Sequence, residues 1–79
     1  MNDLIQNIEK LHTTELGTKR IKNNLSLEIE NVVLWCKTKI LDSHAVIEKR
    51  GKNWYITIEP YEITVNASAY TIITAHKSK

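Results

Sequence analysis

The hydrophobic period of this chain changes once, near residue 44, and that change limits the folds open to it. Before it, apolar residues recur every three or four positions, as on one face of an α-helix. After it, they alternate with polar ones, as on a strand with one buried side. Successive strands are joined by turns too short for crossovers, so they must pair antiparallel. The expected fold class is α+β: about three N-terminal helices packed on one face of a four-stranded antiparallel β-meander, with the other face open. The chain reads as a single domain over residues 1–79, helical over about 2–41 and sheet over about 44–77.

In the helical half, Leu4, Ile5, Ile8 and Leu11 share one face of a first helix over about residues 2–12. Thr13 or Thr14 can cap a second, with Glu15 suited to the positive end of its dipole. That helix runs to about Asn24 with Gly17, Ile21 and Leu25 inward. Glycine inside a helix costs about 1 kcal/mol against alanine, so a close helix contact is expected at Gly17. The third helix spans about 29–41, with Ile29, Val32, Val33, Cys36 and Ile40 in one stripe and Trp35 beside it. Leu34 and Leu41 fall on its other side, where a helix covering a sheet should be polar. Helix one is expected to cover them; a second subunit is the other candidate.

In the strand half, Ala45 and Ile47, then Trp54, Ile56 and Ile58, then Ile63 and Val65 alternate with polar neighbours. Gly51-Lys52 reads as a two-residue hairpin loop. Pro60 suits the first central position of a turn from Glu59 to Glu62. The resulting pairs are Ile47 with Ile56, Ala45 with Ile58, Ile58 with Ile63 and Ile56 with Val65, apolar against apolar throughout. The turn from Asn66 to Ala69 leaves two registers open. A two-residue loop buries Tyr70 and Ile72, and a three-residue loop buries Ile73 and Ala75.

Composition excludes several classes. Apolar residues at 42% and charged residues at 25% are ordinary globular values, with no sign of disorder before the last three or four residues. A net charge of +2 does not by itself argue for a polyanionic partner. No apolar run approaches the ~18 residues of a membrane span, so no membrane partner is expected. The first residues lack the basic-then-apolar order of a secretion signal, and one cysteine provides no disulfide framework. A reducing, cytoplasmic location is expected.

Three segments carry a resemblance. They are Leu11-His12-Thr13-Thr14-Glu15-Leu16-Gly17 with Arg20-Ile21, the run Val32-Val33 through Trp35-Cys36-Lys37 to Lys39-Ile40, and Arg50-Gly51-Lys52-Asn53-Trp54-Tyr55-Ile56 followed by Ile63-Thr64-Val65-Asn66 and Tyr70 to Lys77. Together they resemble a family of short bacterial proteins classed as a domain of unknown function, over nearly the whole chain. The family implies no activity. In architecture alone, helices followed by a meander look like the barnase, EndoU, colicin and RelE group of small ribonucleases, and fold does not fix function.

Few residues suggest chemistry. Cys36 lies among Val32, Val33 and Ile40 and is expected to be a small buried apolar group, not a nucleophile. His12, His44 and His76 match no metal-ligand spacing, so neither a metal nor a cofactor is expected. Lys19, Arg20 and Lys22 form a basic cluster on helix two, but Glu30 and an inward Cys36 weaken a helix-turn-helix reading. Lys49, Arg50 and Lys52 surround the first hairpin, which the meander brings to the same end of the sheet as the Asn66–Ala69 turn. Arg50, Lys52, Tyr55, Asn66, Ser68 and Tyr70 are therefore the candidate binding residues, with Thr57, Glu62 and Thr64 extending the open face. Cations, hydroxyls and an aromatic ring suit phosphates and a stacked base.

The expected function is a binding module that contacts single-stranded nucleic acid or a protein through that face. One alternative is a metal-independent ribonuclease of toxin type. In it His76 or His12 would be the base and Arg50 or Lys52 would stabilise the phosphorane. A structural homo-oligomer is the third reading.

Overall fold

The computed structural model of the chain describes residues 3–26 and 28–77. Asn2, expected to open the first helix, and Ser78 and Lys79, in the expected tail, lie outside the described residues. The helical half comprises α1 (Asp3–Gln6), a 3-10 turn (Ile8–Lys10), α2 (Glu15–Leu25) and α3 (Val32–Ile40). The strands β1 (Val46–Arg50), β2 (Asn53–Ile58), β3 (Tyr61–Asn66) and β4 (Ile72–Lys77) follow as an antiparallel meander in the order β1-β2-β3-β4. The α+β expectation holds. Among the described residues no helix is long and apolar enough to cross a membrane.

The continuous first helix does not form. The Asn7 backbone N–H and its side-chain Nδ2 both donate to the Asp3 carbonyl at 3.0 Å, which ends α1. The chain tightens into the 3-10 turn, and Leu11 is extended. His12 then joins the sheet: its N–H donates to Tyr70 O at 3.1 Å, and Ile72 N–H donates to His12 O at 2.7 Å, forming a parallel bridge opposite Thr71. The segment is therefore pinned to the start of β4, with Leu4 and Leu11 buried. It does not cover α3, which lies over β2. Leu34 and Leu41 stay 58% and 52% exposed, against the expectation that helix one would shield them.

α2 runs along β4. Thr14 Oγ1 caps it by accepting from Gly17 N–H at 3.0 Å. Gly17 is needed for a different reason from the helix contact expected. A Cβ there would collide with Thr13 Oγ1, which donates to Ile72 O at 2.9 Å and so ties the cap to β4. α3 is capped by Asn31 Oδ1, which accepts from Leu34 N–H at 3.0 Å, and it buries Val32, Cys36 and Ile40.

On the sheet, the Ile47–Ile56 pair forms as expected, whereas Ala45 precedes β1 and packs half-buried without a strand partner. Glu59 and Pro60, joined by a cis peptide, form a two-residue loop. Ile58 therefore opposes Tyr61, Ile56 opposes Ile63 and Trp54 opposes Val65, two residues from the expected register. A shift of two preserves the face, so Trp54, Ile56, Ile63 and Val65 are buried as expected, but Ile58, at the end of β2 beside the loop, is only half-buried. In β4 neither expected register occurs alone. Val65 opposes Ile72 but Thr64 opposes Thr74, leaving Ile73 as a bulged extra residue. Ile72 from one register and Ala75 from the other are both buried, and Tyr70 is half-buried with φ 57°. The core sets Leu4, Leu11, Ile21, Leu25, Val32, Cys36 and Ile40 against Trp54, Ile56, Ile63, Val65, Ile72 and Ala75.

Candidate functional site

The first hairpin and the Asn66–Ala69 turn meet as expected. Gly51 adopts φ 61°, which a two-residue loop between twisted strands requires. Ala67 N–H donates to Lys52 O at 2.8 Å, fixing one turn to the other. Between them lies an open cleft of about 250 Å³ lined by Lys49, Gly51, Lys52, Ala67 and Ser68. The two lysines are exposed, so their charges face solvent at its mouth.

Arg50 and Tyr55 meet on the open face of the sheet. The guanidinium carbon stands 4.5 Å from the centre of the Tyr55 ring, and Nε is 3.6 Å from Glu48 Oε1. The Arg50 and Glu48 side chains are 64% and 68% exposed, so this surface ion pair adds little stability. The ring holds the guanidinium, and Glu48 partly offsets its charge. Tyr55 and Thr64 are directly opposed, and both are half-buried by their neighbours.

The other candidates are differently employed. Asn66 Oδ1 accepts from Ser68 N–H at 3.1 Å, Ser68 Oγ at 3.1 Å and Ala69 N–H at 2.9 Å. Asn66 and Ser68 thus shape their own turn, and the Ser68 hydroxyl proton is already used. Tyr70 leaves the group altogether. Its ring packs 5.4 Å from that of buried Trp54, with Lys10 Nζ 5.7 Å from its centre. Sequence reasoning missed Lys10 because nothing in the sequence marks the bridge from His12 to β4. It also missed the T-shaped Trp35–Tyr61 pair, centroids 5.0 Å apart, with Lys39 Nζ 5.4 Å from each ring. That cluster depends on the two-residue Glu59-Pro60 loop placing Tyr61 opposite Ile58.

The histidines do not converge. His12 Nδ1 lies 2.9 Å from the Lys10 carbonyl, which can only accept, so this nitrogen carries a proton, and Nε2 lies 3.0 Å from the Thr71 hydroxyl. His76 Nε2 is 3.3 Å from Glu62 Oε1, near the other end of β4. His76 lies five residue steps along β4 from Thr71, about 17 Å, too far for both histidines to flank one phosphate. His44 N–H donates to Asp42 Oδ1 at 2.8 Å, and chiefly this bond holds the Asp42 carboxyl below its usual range. Cys36 is fully buried, and burial pushes its thiol up to about 12, which keeps it neutral and unreactive.

A family model described as a protein of unknown function (DUF3781) matches residues 5–76. No curated protein matches. No solved structure matches either.

Proposed function

The chain belongs to the family described as proteins of unknown function, DUF3781, and we propose that it is a binding module for single-stranded nucleic acid. The reading rests on the Arg50–Tyr55 stack, 4.5 Å apart on the uncovered face of the sheet. A guanidinium held over a half-buried ring is a flat, cationic platform on which an unpaired base can stack. Lys52, exposed in the hairpin loop next to Arg50, is placed for a phosphate beside that base, whereas Lys49 opposes Trp54 and projects from the other side of the sheet. Glu48 works against Arg50 and Lys52, so affinity should be weak and strongly salt-dependent.

The test is titration of labelled single-stranded RNA at low and moderate salt, followed by incubation without metal to check for cleavage. Replacing Arg50 and Lys52 together by alanine should weaken binding and reduce the salt slope by roughly one to two. Tyr55→Ala should cost about 1–3 kcal/mol of binding through lost stacking. Glu48→Gln should tighten binding. Absence of binding at low salt overturns the reading and leaves a protein as the partner of this face. Metal-independent cleavage that is lost in His76→Ala would replace it with the ribonuclease.

A further inference from the structure

We propose that a second copy of this chain covers the outer side of the helical layer, in a two-fold dimer in which α2 of each copy lies over α3 of the other. The starting observation is the apolar surface that the fold leaves unshielded there. Leu16 is 75% exposed on α2, and Leu34 and Leu41 are 58% and 52% exposed on α3 and its cap. Because α2 lies along β4 and α3 over β2, their outer sides form one surface, away from the open face of the sheet.

The charges on this surface say what fits it. On α2, exposed Lys19 and Arg20 lie three and four residues after Leu16, which makes them its neighbours on the helix surface. At the start of α3, a cleft of about 470 Å³ is lined by Ile29, Leu34 and Trp35, with Glu28 and Glu30 at its rim. Among the described residues, none of Lys19, Arg20, Glu28 and Glu30 has an ion-pair partner in its own chain. One helix therefore offers a leucine flanked by free cations. The other offers an apolar cleft flanked by free carboxylates. Each copy carries both halves, so a single two-fold pairing satisfies both contacts twice. The chain's own first helical segment is excluded as the occupant, since His12 pins it at β4. The β1 edge is a poor rival route to a dimer, because Glu48, Lys49 and Arg50 are exposed along it.

Two short helices offer at most the ~800 Å² per partner of a standard interface, so the dimer should be reversible and dissociate on dilution. The proposal is tested on the full chain by sedimentation across a concentration series, with circular dichroism checking that each variant is folded. Wild type should pass from monomer to dimer, with the transition moving to higher concentration as salt rises. Leu34→Ser with Leu41→Ser should remain monomeric. Lys19→Glu with Arg20→Glu should also remain monomeric, and so should Glu28→Lys with Glu30→Lys. Mixing these two charge-reversed proteins should restore a dimer, because each α2 then meets an α3 of opposite charge. That recovery separates lost complementarity from a damaged fold. A wild type that stays monomeric at high concentration overturns the proposal. So does a dimer indifferent to the leucine and charge changes, or charge-reversed partners that fail to associate when mixed.

Discussion

On the covered face of the sheet, Trp54, Ile56, Ile63 and Val65 are at most 5% exposed, whereas Tyr55, Thr57, Glu62 and Thr64, their neighbours on β2 and β3, face outward and are only half-buried. The same two strands thus meet two different demands. Inward positions are constrained by volume, because interiors are close-packed and a missing methylene leaves a void. Outward positions are constrained mainly by chemistry, since the space beside them is open. The covered face holds the molecule together, and the open face is free to carry the Arg50–Tyr55 platform at little cost to the fold. A change on one face should register in stability, and a change on the other in binding.

The sharpest way to break that contrast is a matched pair. Ile63→Ala should destabilise by about 2–5 kcal/mol in urea unfolding, while Thr64→Ala, its outward neighbour, should stay within about 0.5 kcal/mol. Comparable losses at both positions would mean that the open face is not open. Cys36 reports on the same covered side. Alkylation in the native protein should be roughly 10²–10³-fold slower than in denaturant, because it must wait for opening of a fold worth a few kcal/mol. Gly17→Ala tests the cap that joins α2 to β4. Alanine gains about 1 kcal/mol of helix propensity, but its Cβ meets the Thr13 hydroxyl. Crowding there costs about 1–3 kcal/mol, so thermal melting should report net loss. The smallest effect belongs to Asp42, which lies on neither face. Its carboxyl is depressed in the fold, so it stabilises the protein above the ordinary aspartate range, and this contribution disappears as pH falls through the lowered value. Melting curves of Asp42→Asn should lack the small acid-side drop that wild type shows.

What the sequence revealed follows from what each signal measures. Alternation reports which face a strand residue takes, and it was correct for Trp54, Ile56, Ile63 and Val65. It does not report register, because a shift of two leaves every face unchanged, and so the pairing of Ile58 with Tyr61 was not legible. The helical stripe found Ile21, Leu25, Val32, Cys36 and Ile40. It overextended the first helix because an asparagine that bonds its own backbone leaves no mark in an apolar pattern. At the site, the nearness of Arg50 to Tyr55 was readable from the hairpin and the open face alone. The self-contained hydrogen bonds of Asn66 and Ser68 and the inward packing of Tyr70 depend on turn geometry, which the residue types did not specify.

The bulge at Ile73 bears on how this chain can vary in length. Elsewhere in a strand, losing one residue turns every later side chain to the wrong face. At Ile73 the opposite holds. Ile72 and Ala75 both point inward with two residues between them, so β4 carries one position more than its alternation needs. Excising Ile73 would bring Ile72, Thr74 and Ala75 into strict alternation, in-out-in, and leave their partners on β3 unchanged. β4 thus holds a spare reading frame, the place in the sheet where a one-codon deletion would be absorbed and not propagated.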